Sequence, residues 1–183
     1  MKALILSMSA LICLTSEAQI GNQFPNMSAE TLSNDMLSIP KDLNGKYSLI
    51  CLAYSSKAED YLGQWFSPIY NNFIHKPETP SPFSFSYDVN VYFVPMITGV
   101  KRPAYKTTMK KTQQSVDPAM KPYILFYEGS LNDYKKPLAI EEKKYPHFFI
   151  LDPTGKIVNK ASGPYTDKKM QEIINDVRDA LQQ

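Results

Sequence analysis

The eight residues 47–54, Tyr-Ser-Leu-Ile-Cys-Leu-Ala-Tyr, constrain this chain more than any other stretch. A near-continuous apolar run of strand length cannot leave one face in water, so it belongs at the centre of a sheet covered on both sides. A helix signal follows at once. Ser56 and Glu59 make a capping box, and Ala58, Tyr61, Leu62, Trp65, Phe66, Ile69, Tyr70 and Phe73 recur at helical spacing. Pro68 lacks a backbone donor, which predicts a bend near Phe66 or Ser67.

The rest of the chain continues the alternation. After a loop with Pro77, Pro80 and Pro82, Val89, Val91 and Phe93 alternate with Asn90, Tyr92 and Val94 in a strand ending at Pro95 or just beyond. Tyr105, Met109, Thr112 and Val116 predict a helix that stops before Pro118, and 123–127 reads as another strand. Residues 148–151 are a strand and Asp152-Pro-Thr-Gly155 a turn. Residues 156–159 then form the returning hairpin arm. A last helix capped by Thr166 presents Met170, Ile173, Ile174, Val177 and Leu181 on one face. Strands alternating with helices predict an α/β fold. Residues 19–46, punctuated by Pro25, Asn34, Pro40, Asn44 and Gly45, read as irregular. With 183 residues and no internal repeat, one domain is expected over 19–183.

Lys2, the apolar run 3–14 and Ser16-Glu17-Ala18 read as a signal peptide spanning 1–18, with cleavage before Gln19. The protein is then exported, to a periplasm or beyond the cell. Cys13 leaves with the signal, so the mature chain keeps Cys51 alone and no intrachain disulfide can form. A formal charge of +2 argues against a general polyanion or nucleic-acid binder.

Several residues qualify as site candidates, and each also has a structural reading. Cys51 is either a lone reactive thiol or a core residue, and apolar neighbours on a central strand favour an inert thiol. Glu59 and Asp60 suit acid/base chemistry, but a first helical turn also favours carboxylates. His75 and His147 are far apart and have no cysteine partner, so no zinc set is expected. The scattered glycines build no phosphate loop, and no cofactor is implied. Between 101 and 121, six basic residues, among them Lys101, Arg102, Lys106, Lys110 and Lys111, face Asp117 alone. That segment is either a solvated face or a peripheral contact with an anionic surface.

Pro25, Leu43 and Gly45-Lys46 resemble the lead-in to the active-site strand of the thioredoxin-like superfamily, especially its exported thiol-disulfide and peroxiredoxin-like branches. Residues 145–152, Tyr-Pro-His-Phe-Phe-Ile-Leu-Asp, are similar to that family's cis-proline segment. Thr154-Gly155-Lys156-Ile157-Val158 and Ser162-Gly163-Pro164 resemble its closing hairpin and the glycine before the last helix. The resemblance implies a three-layer sandwich with a central mixed sheet, a cis-proline loop and a C-terminal helix. It places the two cysteines of the family's CxxC motif, within about one residue, at Lys57 and Asp60, where thiol-disulfide exchange has no sulfur to use. The Gly-Pro-Tyr-Thr ending at 163–166 and the cysteine-free site are similar, more distantly, to a thioredoxin-like assembly factor family of the mitochondrial ATP synthase.

The expectation is therefore a redox-inactive envelope protein that binds a peptide or protein partner. Its groove would lie between Ser55, Ser56, Lys57 and Asp60 on one side and Tyr145-Pro146 on the other. The alternative is a diverged thiol oxidoreductase or peroxidase using Cys51. A cis bond before Pro146 would open backbone to an extended peptide. Without it, the basic 101–121 segment is the better surface.

Overall fold

A computed structural model describes residues 20–75 and 87–182. The signal-peptide segment and the three prolines at 77, 80 and 82 lie outside the described residues. Seven strands, β1 (Met27–Thr31), β2 (Met36–Ile39), β3 (Ser48–Ala53), β4 (Asn90–Thr98), β5 (Leu125–Gly129), β6 (His147–Leu151) and β7 (Ile157–Ser162), form one mixed sheet in the order β2-β1-β5-β4-β3-β6-β7. β3, β4 and β5 are parallel, and the remaining pairings are antiparallel.

The unbroken apolar run of 47–54 follows from the position of β3 between β4 and β6. Its alternate residues feed two cores: Leu49, Cys51 and Ala53 on one face, Ile50, Leu52 and Tyr54 on the other. The first face is covered by α1 (Ser56–Gly63), α2 (Phe66–Ile69), α3 (Tyr105–Ser115) and α5 (Asp167–Leu181). A thinner layer covers the second, formed by the short α4 (Asn132–Lys135) with Leu138 and Ile140, Phe24 and Leu43, and Met27, Ala29 and Ile39 of β1 and β2 join the same core from within the sheet.

Four sequence expectations shift. Residues 19–46 are not all irregular, since β1 and β2 form a hairpin that attaches through β1 to β5. The helix after β3 breaks at Gln64 and Trp65, earlier than predicted. It resumes as α2 and one wide π turn over Tyr70–Ile74, which puts Pro68 in the first turn of α2, where its missing N–H costs nothing. β4 runs past Pro95 to Thr98 because its partner changes there. The ladder to β3 ends at Ala53 opposite Pro95, and the ladder to β5 begins at Met96. Finally, the strand expected at 123–127 starts at Leu125, after a 3₁₀ turn over Pro118–Tyr123.

The closing hairpin matches its sequence signals. Gly155, at φ +84°, donates its N–H to the Asp152 carbonyl at 2.9 Å, and an added Cβ would collide with Pro40. Thr166 caps α5 by accepting from the Lys169 N–H.

Candidate functional site

The carboxyl end of β3 leads directly into α1, and the loop before β6 lies against it. The cap is Ser55 rather than Ser56. Its Oγ accepts from the Ala58 N–H at 3.1 Å and donates to the Lys143 carbonyl at 2.8 Å, which ties the helix start to the loop. Ser56 is left to accept from the Lys101 ammonium at 2.6 Å, and the same ammonium lies 3.4 Å from Glu59. Lys101, read from sequence as part of a basic face, thus serves the first turn of α1. Glu59 is its partner, so an acid/base pairing of Glu59 with Asp60 gains nothing from the geometry. Lys57 and Asp60 are exposed.

Tyr145 sits beside α1, half-buried, with its ring 5.2 Å from that of Tyr61 and the Lys144 ammonium 4.9 Å above it. In the sequence Tyr61 belongs to the helix's apolar stripe, and its contact across to Tyr145 is a tertiary feature with no local signal. Pro146 departs from expectation in two ways. The cis peptide bond among the described residues is Ile39–Pro40, and Tyr145–Pro146 is trans. The Pro146 carbonyl already accepts from the Gly163 N–H at 3.1 Å, because β7 continues alongside it. An extended peptide therefore finds no free carbonyl at Pro146. Ser55, Ser56, Lys57, Asp60 and Tyr145 do come together around the start of α1, while Pro146 is buried behind them.

No position in the first turn of α1, Ser56-Lys57-Ala58-Glu59-Asp60, carries sulfur, so a one-residue change of alignment makes no difference. Cys51 is wholly buried on β3, and that burial pushes its thiol well above the ordinary value. A thiol held neutral inside the core is not a nucleophile.

His147 opens β6, where its Nε2 lies 2.8 Å from the Glu142 carbonyl and must donate to it, leaving Nδ1 as acceptor in the neutral ring. Burial lowers its pKa, against the raising effect of that bond, and Lys160 adds to the lowering. The Tyr54 ring packs edge-on against it at 5.6 Å. His75 lies away, just after the π turn, with its ring stacked on Tyr70. No group of three or more metal-ligating side chains occurs among the described residues. No helix among them is long and apolar enough to cross a membrane.

In the basic segment, Arg102 pairs with Glu128 at 3.4 Å, while Lys106, Lys110 and Lys111 are exposed on α3. Val100, between Gly99 and Lys101, is 98% exposed.

A family model described as ATP10 protein matches residues 17–179. No curated protein matches the chain by sequence. Among solved structures, the C-terminal domain of a protein named as a thiol-disulfide oxidoreductase from Bacteroides thetaiotaomicron superposes with a TM-score of 0.54. It is 17% identical, with 90% of this chain and 100% of that one covered. BsSco, a member of the Sco family of cytochrome c oxidase assembly proteins, gives 0.53 at 14% identity over 87% and 94%. The exposed lipoprotein thioredoxin Etrx1 of Streptococcus pneumoniae gives 0.53 at 11% over 82% and 98%. At such identities the likeness shows the fold, which is thioredoxin-like.

Proposed function

The chain belongs to the ATP10 protein family, and from that premise we propose that it is a redox-inactive, exported thioredoxin-like protein that binds a peptide or protein partner as an assembly factor of the cell envelope. One observation carries the reading. The turn that holds the cysteines in thiol-disulfide relatives is here built from Ser56, Lys57, Ala58, Glu59 and Asp60, and the nearest sulfur in sequence is sealed in the sheet at Cys51. A fold that keeps this geometry without its sulfur retains a surface rather than a reaction. The partner would meet the start of α1 through Lys57, Asp60 and the Tyr61–Tyr145 pair, where half-buried aromatic rings beside charged groups provide the kind of contact that dominates interfaces. The exposed Lys106, Lys110 and Lys111 of α3, with Lys101 and Arg102, form the adjoining basic surface. Export rests on Lys2, the apolar run 3–14 and Ser16-Glu17-Ala18.

The experiment combines two measurements on the exported protein. Insulin reduction and peroxide consumption should read as background. Crosslinking in intact envelopes should capture a protein whose yield falls severalfold in Tyr145→Ala with little change in melting temperature. Turnover that disappears in Cys51→Ser would overturn the reading, as would full-length chain, still carrying residues 1–18, retained in membranes.

A further inference from the structure

We infer that the cleft at the carboxyl ends of β4 and β5 is an oxyanion site, built to take a carboxylate or phosphate group. Parallel strands in α/β sheets present their ligands at this end, where the loops diverge. Here Thr98 ends β4, Gly129 ends β5, and a cleft of about 500 Å³ opens between the segments that follow them and the loop before β6.

Apart from Leu131 and two glycines, the side chains that line it are cationic or hydrogen-bond donating. Arg102 and Lys143 bring two positive charges from opposite sides of the sequence, with Thr98, Ser130 and Asn132 between them. None of the described residues that line it is acidic. Three other clefts differ in this respect: one carries Glu141 and Glu142, the next Asp117, a third Glu141. Donor capacity is also left over. Arg102 spends one N–H on Glu128 at 3.4 Å, a partly exposed pair that is easily screened, and keeps four more. The Lys143 ammonium has no partner among the described residues, because only its carbonyl is engaged, by Ser55. The Ser130 Oγ accepts from the Asn132 N–H, which leaves its own proton to donate. Gly99 also lines the cleft, and an added Cβ there would meet nothing within 4 Å, so its backbone is open to the space in front of it.

The site is independent of the redox reading, since it uses no residue of the α1 turn. The test is a titration of the purified protein followed by amide NMR, with sodium phosphate and sodium succinate as probes and sodium chloride at matched ionic strength as control. Saturable shifts at Gly99, Gly129 and Ser130 that share one dissociation constant are expected. That constant should weaken at least fivefold in Arg102→Gln and in Lys143→Gln, and stay unchanged in Lys168→Gln, at an exposed lysine of α5 outside the cleft. Saturation by succinate alone supports a carboxylate ligand, by phosphate alone a phosphate group, and by both an oxyanion site of broader choice. Linear shifts with both probes, or equal affinity in all three variants, would overturn the assignment.

Discussion

Ala139 holds a backbone conformation that its side chain opposes, and replacing it with glycine should stabilise the protein. After α4 the Ile140 N–H reaches the Lys135 carbonyl at 2.9 Å and the Ala139 N–H reaches the Lys136 carbonyl at 3.1 Å, the paired bonds of a Schellman ending. Such endings require a left-handed residue, and Ala139 has φ +40°. Among the described residues, the other non-glycine residues with positive φ are Asn34 and Asn44, a type that tolerates this region. An L side chain there costs about 1–2 kcal/mol. Glycine returns about 0.4–1 kcal/mol of that through the freer unfolded chain. The net gain for Ala139→Gly is thus about 0.5–1 kcal/mol, or about 1–4 °C in melting temperature for a domain of this size. Urea denaturation should show a higher midpoint with an unchanged slope. A lower or unmoved midpoint would refute the strain argument.

Three further outcomes follow from the same geometry. Gly155→Ala should cost about 1–3 kcal/mol, because the new Cβ meets Pro40 at a left-handed φ; a midpoint within error of wild type would contradict it. Trp65→Phe should cost about 1–3 kcal/mol, since the indole N–H donates to the buried Gly163 carbonyl at 3.3 Å and the ring fills the space between Phe148 and Tyr165. It is the chain's one tryptophan, so circular dichroism must follow the melting. His147 has a lowered folded pKa against about 6.5 unfolded, so the unfolded chain binds the proton more readily. Its contribution is complete above that value and shrinks as pH falls below it. Urea midpoints at pH 7.5 and 5.5 should therefore converge in His147→Gln, and an unchanged gap would locate the pH dependence elsewhere.

The parts of the fold legible in the sequence were those whose burial leaves a local pattern. Residues 47–54 announced a central strand because both faces of β3 are covered, and Met170, Ile173 and Val177 announced α5 because a single stripe of it is. β1 and β2 left no such mark: Met-Ser-Ala-Glu-Thr and Met-Leu-Ser-Ile are short and partly exposed, and they are held by pairing with a strand almost a hundred residues away. Pro95 suggested a stop because a proline's missing N–H is visible in sequence, while the change of ladder partner that tolerates it is not. At the site, the absence of sulfur from residues 56–60 could be read directly. The Lys101 tie to Ser56 and Glu59, the Ser55 bond to Lys143 and the trans bond before Pro146 depend on how distant segments meet, and local spacing does not encode that.

The most direct test of the central claim, that the α1 turn has given up sulfur chemistry, is thiol titration of the purified protein with a chromogenic disulfide at pH 7. Cys51 should react slowly in native buffer, at a rate set by opening of the sheet, and one equivalent should appear at once in denaturant. A native thiol that reacts within seconds, and whose modification abolishes insulin reduction, would contradict it.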